Sequence, residues 1–289
     1  MLRKFFILPL FFIVSLVFLY SCKEKQFTPV KGEIKASADE SLFRVVDALK
    51  TEFEILYPNA KVTLTQAAAR VGIPDLLEGK IQLFVCGRNL NNEELEFIKN
   101  NKKQNINQYK FCYDGVVLLV QKGDKKENIS LNELRDLLNG VNKSYKIFMP
   151  QFKSSTYEYI KGTLLGGKDP VNVKLVDKES DILEEVKKNS KSIGLVGLNV
   201  IADSSAYKFL KVSADDNVSL TGTTYYEPHP GYLSHGEYPL AKLCYVFTNE
   251  VYVGVAGGFA TFLTGNEGQA IVFKKFNLGP LHYTLKYKQ

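Results

Sequence analysis

From residue 32 onward, short apolar runs alternate with longer segments whose apolar residues recur at helical spacing. The clearest helical stripe lies between Ser41 and Tyr57 and consists of Leu42, Val45, Val46, Leu49, Phe53 and Leu56. Together these patterns predict strands at residues 32–37, 61–66, 81–86, 111–120, 145–149, 171–176, 192–197 and 243–248, and helices at 41–57, 72–78, 91–100, 131–139, 155–165, 180–189, 258–263 and 268–276. This alternation is typical of an α/β fold with mostly parallel sheets.

The N-terminus has a different pattern. Arg3 and Lys4 precede an almost wholly apolar run over residues 5–20, and a polar segment starts at residue 23. This is the layout of a secretory signal, and the run is shorter than the roughly 20 residues that span a bilayer comfortably. A signal anchor left in place is the alternative.

Residues 19–22, Leu-Tyr-Ser-Cys, resemble the lipoprotein box of bacteria, in which cleavage leaves the cysteine as an acylated N-terminus. We therefore expect a signal peptide at 1–21, lipidation of Cys22 and a tether over residues 22–31. Because multiple acyl chains anchor a protein firmly, the expected location is the extracytoplasmic side of a bacterial cell envelope, held to a membrane by lipid.

Composition narrows the possible functions. The 289 residues carry 37 basic and 31 acidic side chains, a net charge of +6 without a run of five basic residues, which does not support nucleic-acid binding. The chain has only three histidines and four cysteines as candidate metal or haem ligands, so we expect no cofactor. Cys86, Cys112 and Cys244 lie in apolar runs and are expected to be buried free thiols, although a Cys112–Cys244 bridge stays open.

Several short segments have a characteristic order along the chain. They are Gly32-Glu33-Ile34; Gly79-Lys80-Ile81-Gln82-Leu83 leading to Arg88-Asn89-Leu90; Tyr113-Asp114-Gly115 with the apolar run to Val120; Ser154-Ser155-Thr156; Ser192-Ile193-Gly194-Leu195-Val196-Gly197; Tyr238-Pro239-Leu240; and Gly258–Leu263 with Gly268-Gln269. Each is a weak signal alone. As an ordered set over about residues 32–280, they resemble the phosphate-binding solute receptors of ABC transporters, in the branch found as lipoproteins.

The resemblance implies a two-lobed periplasmic-binding-protein fold of type II. Two strands, 111–120 and 243–248, would cross between the lobes as a hinge. Lobe 1 would comprise residues 32–118 plus 240–289, and lobe 2 residues 119–239. The function implied is a non-enzymatic one, in which a monomer captures phosphate or a similar oxyanion between the lobes and delivers it to the permease of an ABC transporter.

Two loops have the chemistry that such a site needs. In open α/β sheets, ligands lie at the carboxyl ends of strands, where one loop carries Asp39, Glu40 and Ser41 and another carries Ser154, Ser155 and Thr156. Each loop offers backbone N–H groups at a helix N-terminus beside hydroxyl groups, which suits an anion. Plain helix capping is the alternative for each loop.

Three further residues are candidates for the site. Arg88 follows a buried strand, and an arginine can clamp phosphate with paired donors. Arg70 is a weaker candidate donor in the neighbouring loop. Asp114, at the start of the first hinge strand, would orient donors in the cleft or stabilise the crossover.

The chain also departs from the family pattern. Gln82 aligns with an aspartate that accepts the proton of hydrogen phosphate in many members, and Ser154-Ser155-Thr156 replaces the usual Ser-Gly-Thr with its preceding arginine. Asp39 or Glu40 could supply the missing proton acceptor. Alternatively, these two carboxylates select a cationic or polar solute.

Two other functions compete with transport. A scaffold or sensor lipoprotein with a degenerate cleft would fit the departures from the family pattern. A hydrolase would need His229 and His235 to act with carboxylates, but no nucleophile elbow, Walker loop, HExxH or CxxC motif is present. Exposed loop histidines are the simpler interpretation of both residues.

Overall fold

A computed structural model of the chain describes residues 28–101, 105–201, 205–214, 218–219 and 222–282. The predicted signal peptide at 1–21 and the predicted lipidation site Cys22 lie outside the described residues and stay predictions. Strands are β1 Gly32–Ala38, β2 Ala60–Gln66, β3 Leu83–Cys86, β4 Asn107–Gln121, β5 Asn128–Ser130, β6 Lys146–Pro150, β7 Val173–Val176, β8 Ser192–Gly197, β9 Tyr207–Phe209, β10 Lys211–Ser213, β11 Val218–Ser219, β12 Gly222–Thr223, β13 Ala241–Thr248 and β14 Gly279–Pro280.

Helices flank these strands. They are α1 Glu40–Leu56, α2 Ala69–Leu77, α3 Asn92–Asn100, α4 Leu131–Leu138, α5 Ser155–Leu164, α6 Glu179–Lys188, α7 Pro230–Ser234, α8 Val255–Thr264 and α9 Asn266–Phe276, with a 3₁₀ turn at Leu198–Val200. Local chemistry explains several starts. Asn91 and Glu94 form a reciprocal capping box at α3, and the Ser130 hydroxyl accepts the N–H of Glu133 at α4.

The main sheet has the strand order β2-β1-β3-β13-β4-β8-β6-β7. β4 is the strand that both halves of this sheet share. Its residues 107–115 pair with β13, and its residues 116–119 pair with β8. We call the half with β1, β2, β3 and β13 lobe 1, and the half with β6, β7 and β8 lobe 2. Within each half, the strands that adjoin helical crossovers are parallel, as the alternating pattern predicts.

Each lobe has its own core. In lobe 1, the apolar stripe of α1 packs with α8 on one face of the sheet, where Phe53 contacts the rings of Phe259 and Phe262. α2 covers the other face around Phe84. In lobe 2, α4 and α5 pack on one face and α6 on the other. The chain therefore forms two three-layer units joined through a common strand.

The predicted elements are present with ends shifted by a few residues, but one detail of the hinge is different. β4 crosses between the lobes, as expected, and changes partner between Gly115 and Val116, three residues before the expected boundary at 118. β13 was expected to be the second crossing strand, yet within the described part of the chain it pairs with β3 and with the lobe 1 part of β4 and with no lobe 2 strand. The second crossing is instead the segment before β13, where the N–H of Val116 donates to the carbonyl of Leu240.

The three described cysteines, Cys86, Cys112 and Cys244, are buried free thiols, which confirms that prediction. Cys112 and Cys244 face each other in register across β4 and β13 but form no bridge. No helix among the described residues combines the length and the apolar character needed to cross a bilayer.

Candidate functional site

The two lobes meet at a fully buried lysine. Lys242 lies on β13, and its ammonium group contacts the hydroxyl of Ser41 in α1 at 3.2 Å and the hydroxyl of Thr156 in α5 at 3.5 Å. Ser41 belongs to lobe 1 and Thr156 to lobe 2, and each lies in the first turn of its helix. The N-termini of α1 and α5, which the sequence predicts separately as anion sites, therefore converge on one cation.

Asp114 neutralises this cation. The Lys242 ammonium lies 3.2 Å from the Asp114 carboxylate, and both side chains are inaccessible to solvent. Asp114 also accepts the N–H groups of Gly115 at 2.8 Å and Leu198 at 3.3 Å. Burial disfavours the ammonium, but the neighbouring carboxylate outweighs it and raises the pKa of Lys242 above its ordinary value. Lys242 therefore stays protonated, and Asp114 ties the β4 crossover to it.

A second buried carboxylate lies on the lobe 2 side. The hydroxyl of Thr156 donates to Glu179 at 2.5 Å, and the other carboxylate oxygen of Glu179 accepts the N–H of Gly197 at 2.7 Å. Burial raises the pKa of Glu179 from 4.5 to about 7, although the Lys242 charge opposes the shift. Glu179 is thus a carboxyl group that exchanges its proton near neutral pH inside the site.

Ser155 contributes a buried hydroxyl with no hydrogen-bond partner among the described residues. It faces the backbone of Gly87, where an added Cβ would lie 2.6 Å from the Ser155 hydroxyl and 2.8 Å from the Lys242 ammonium. Only glycine leaves this space. An unsatisfied buried hydroxyl costs about 1–3 kcal/mol, so this position favours an additional acceptor beside Lys242.

Two of the predicted site residues act as helix caps. Asp39 is buried, and its carboxylate accepts the N–H groups of Glu40 at 3.1 Å and Gly87 at 3.4 Å, which joins the start of α1 to the end of β3. The Ser154 hydroxyl accepts the N–H of Tyr157 at 3.1 Å at the start of α5. The contacts of Asp39 and Ser154 are therefore those of helix caps, as the alternative to ligand binding predicts.

Glu40 reaches across from lobe 1 to lobe 2. Its carboxylate accepts the N–H of Glu179 at 2.9 Å and that of Ser180 at 3.3 Å. These are free donors of the first turn of α6, where the helix dipole favours negative charge. Glu40 therefore occupies the N-terminus of a lobe 2 helix rather than the region around Lys242.

Arg88 and Arg70 both bind a carboxylate of the opposite lobe. The Nε atom of Arg88 contacts Glu158 of α5, while its terminal nitrogens form two 2.8 Å bonds with Glu94. The Nε atom of Arg70 donates to Glu158 at 2.7 Å. The structure does not bring either arginine to Lys242, and it places both at an ion-pair cluster on the rim of the cleft.

Gln82 lies away from the site. It precedes β3 at the end opposite to Gly87, and its side-chain oxygen accepts the N–H of Lys35 at 2.9 Å. Gln82 therefore does not lie where a proton acceptor for a ligand beside Lys242 would have to lie. Sequence order alone could not separate the two ends of so short a strand.

Lys242 and Glu179 were not among the predicted site residues. Both have a periodicity signal that would have found them. Lys242 alternates in phase with Cys244 and Val246 on the buried face of β13. Glu179 lies three and seven residues before Ile182 and Val186, the buried positions of α6. A charged residue in phase with a buried apolar stripe indicates a partnered or functional group.

A cavity of about 590 Å³ opens beside the buried cluster, between the lobes. Its lining includes Asp39, Glu40, Lys153, Ser154 and Lys178. Among the residues that the structure describes, no group of three or more His, Cys, Asp or Glu side chains could hold a metal ion. His229 and His235 are exposed, and each contacts the backbone of Gly231 in the short helix α7.

The shared strand, with a three-layer α/β unit on each side of it, is the architecture of a two-lobed periplasmic-binding-protein fold. The chain belongs to the PBP superfamily, because residues 24–267 match the PBP superfamily domain.

Relatives of this chain are named phosphate-binding proteins. It is 24% identical over 295 residues to the phosphate-binding protein PstS of Borreliella burgdorferi, with 94% of this chain and 98% of that protein covered. It is 22% identical to PstS of Staphylococcus saprophyticus, with 81% and 75% covered.

Solved structures agree on the fold. A protein from Clostridium perfringens, described as a phosphate ABC transporter substrate-binding protein with bound phosphate, superposes with a TM-score of 0.73 at 21% identity, covering 87% of this chain and all of that one. An ABC-type phosphate transport receptor from Vibrio cholerae gives a TM-score of 0.65 at 16% identity, covering 85% and 99%.

Proposed function

We propose that this protein is an extracytoplasmic, non-enzymatic receptor that captures phosphate or a similar small oxyanion between its lobes for uptake by an ABC transporter. The names of its relatives support the substrate class. The arrangement around Lys242 supports an anionic ligand, since a protonated ammonium and hydroxyl groups from both lobes converge there.

The observation that carries the proposal is the unpartnered hydroxyl of Ser155 beside the Lys242 ammonium. An oxyanion bound there would accept from Ser155 and from the ammonium at once. Ser41 would complete a set of donors drawn from both lobes and from β13, while Thr156 keeps its donated hydrogen bond to Glu179. Hydrogen bonds to a charged ligand are typically worth about 1.5–3 kcal/mol each, so the loss of any one of these donors should weaken binding measurably.

The carboxylates bear on which oxyanion is held. Asp39, Asp114 and Glu179 are buried within the same region, and they would repel an anion that cannot donate a hydrogen bond. Phosphate retains a proton near neutral pH, whereas sulfate does not. The site should therefore prefer phosphate over sulfate. Glu179 would accept the hydrogen bond that the phosphate proton donates, because its raised pKa allows it to gain or lose a proton near neutral pH.

Calorimetry tests this proposal. The purified protein, unfolded and refolded to remove any retained ligand, is titrated with phosphate, sulfate and molybdate. We expect phosphate to bind with a Kd of about 1 μM or tighter, which corresponds to about −8 kcal/mol, and sulfate to bind at least tenfold more weakly. Absence of binding to all three anions would contradict the proposal and favour a scaffold or sensor with a degenerate cleft.

We also propose that the receptor is anchored by lipid at Cys22. Metabolic labelling of the producing cells with a radioactive fatty acid should label the wild-type protein and not the Cys22→Ser variant. Lack of label in the wild type would contradict the anchor but leave the oxyanion site unaffected, because the described site residues lie in the folded lobes.

A further inference from the structure

An exposed apolar surface lies at the end of lobe 1. The loop after β13 carries Val251, Tyr252 and Val253, of which Tyr252 is 87% exposed. The last turn of α1 carries Ile55 and Leu56, also exposed. The loop lies at the end of the sheet remote from Lys242, since Thr248 at the end of β13 pairs with Leu83 at the start of β3. The last turn of α1 lies at the same end, because β2 follows it and starts beside Gly32 at the start of β1.

Contacts join these segments to the place where the chain enters lobe 1. An added Cβ on Gly257 would lie 3.5 Å from Val253, and one on Gly258 would lie 2.0 Å from the carbonyl of Pro29. Three residues after Pro29, the N–H of Gly32 donates to the carbonyl of Asn59, just beyond α1. We call the surface formed by Val30, Ile55, Leu56, Val251, Tyr252 and Val253 the lobe 1 end surface.

The covalent chain limits how far this surface can lie from the predicted anchor. Six peptide units separate Cys22 from Thr28, so the two Cα atoms are at most about 20 Å apart. An acylated Cys22 lies at the membrane surface. Thr28 belongs to the folded part of the chain, because its backbone forms hydrogen bonds with that of Lys31. The anchor therefore keeps the entry to lobe 1, which borders the lobe 1 end surface, within about 20 Å of the bilayer.

We propose that the lobe 1 end surface rests on the lipid bilayer, with Tyr252 and the flanking valines in the headgroup region. This inference rests on the lipid anchor of the proposed function. Tyrosine is favoured at membrane interfaces because its ring is apolar and its hydroxyl remains hydrated. Contact with lipid accounts for the clustering of apolar side chains that water would otherwise cover.

The contact also sets the orientation of the receptor. The lobe 1 end surface lies at the opposite end of lobe 1 from Lys242, so lipid contact there keeps the cleft between the lobes away from the bilayer. The cleft then stays open to solute while the anchored receptor is at rest, and the lobe 1 end surface must leave the bilayer before the cleft can face a permease.

Fluorescence can test this contact because the chain contains no tryptophan. The acylated full chain carrying Tyr252→Trp is reconstituted in phosphatidylcholine vesicles with and without brominated acyl chains. The matched control is Val141→Trp, at a comparably exposed position after α4 in lobe 2. We expect brominated lipid to quench the fluorescence of the Tyr252→Trp protein by about half or more, with a blue shift, and to leave the control unchanged.

The other outcomes overturn the proposal. If the intact mass shows acylation and neither variant is quenched, the surface does not contact lipid and serves a protein partner or none. Equal quenching of both variants means that the protein lies on the bilayer without a preferred face. Absence of acylation removes the anchor and the proposal with it. Calorimetry of the cleft is independent of all three results, so failure of oxyanion binding is recognised separately.

Discussion

The carboxylate of Glu40 in lobe 1 accepts the N–H of Glu179 in lobe 2 at 2.9 Å. A residue of one lobe thus provides the negative charge that a helix N-terminus in the other lobe favours. Arg88 and Arg70 of lobe 1 also bridge the lobes, here with the positive charge on lobe 1 and the carboxylate of Glu158 on lobe 2. The protein's own charges therefore stabilise contact between the lobes, and a ligand needs to supply only part of the energy of closure.

Replacing both lobe-bridging carboxylates should open the ligand-free protein. In the Glu40→Ala, Glu158→Ala double variant, the radius of gyration from small-angle scattering should rise without ligand and return towards the wild-type value with saturating phosphate. Glu185→Ala is the control, because Glu185 pairs with Lys174 within lobe 2. Scattering identical to wild type in the double variant would show that these contacts do not hold the lobes together.

Neighbouring serines separate ligand binding from helix capping. Ser155→Ala removes an unpartnered buried hydroxyl, so the free energy of unfolding should hold or rise slightly, while phosphate affinity falls about tenfold or more, about 1.4 kcal/mol. Ser154→Ala removes the cap of α5, so it should lower the free energy of unfolding by about 0.5–2 kcal/mol and change affinity less. Calorimetry and urea unfolding measure both. If Ser155→Ala instead lowers the free energy of unfolding and Ser154→Ala lowers phosphate affinity, the ligand lies elsewhere.

Stability should depend on pH through Glu179. Because burial raises its pKa from 4.5 to about 7, the folded state binds more protons than the unfolded state between these values. The contribution of Glu179 to stability is thus greatest at low pH and decreases as pH rises to about 7, by about 3 kcal/mol in total at 1.36 kcal/mol per pH unit. Glu179→Gln should flatten that decline in urea unfolding measured from pH 4.5 to 8. An unchanged slope would assign the dependence to other groups.

Breaking the buried ion pair should be costly. Lys242→Met leaves the Asp114 carboxylate buried without its cation, and we expect a loss of about 3–5 kcal/mol in the free energy of unfolding. Adding Asp114→Asn should recover part of that loss, since the uncompensated charge is removed. Urea unfolding of the wild type, the two single variants and the double variant gives the coupling energy. Additive losses would contradict a direct interaction between the two groups.

The sequence predicted the elements well because their signals are local. The stripe of α1 and the cap at Asp39 depend on residues within a few positions of each other, and the predicted range 41–57 differs from Glu40–Leu56 by one residue at each end. The sequence located two of the loops that meet at the candidate site, and their role in ligand binding stays a prediction. The loops that carry Ser41, Ser155 and Thr156 do converge, but contacts such as Glu40 with α6 join residues about 140 positions apart, and no local pattern encodes them.

Arg88 illustrates the same limit. Its chemistry suits a phosphate, and it follows a strand at the correct end of the sheet, yet Glu94 and Glu158 occupy its donors. Which anion an arginine binds depends on the fold around it. Sequence patterns identify the donor but not the acceptor that binds it in the folded protein.

The position of β13 between β3 and β4 has a consequence for the order in which the protein folds. Among the strands that the structure describes, β3 and the lobe 1 part of β4 do not pair with each other and are joined through β13, which follows all of lobe 2 in the sequence. As the chain emerges from the ribosome or from an export channel, lobe 2 can complete its sheet first. The apolar edge of β3 then remains unpaired until β13, which ends at Thr248, has emerged. Aggregation during biogenesis should therefore begin at this edge, and truncations before β13 should yield a folded lobe 2 attached to an unfolded N-terminal region.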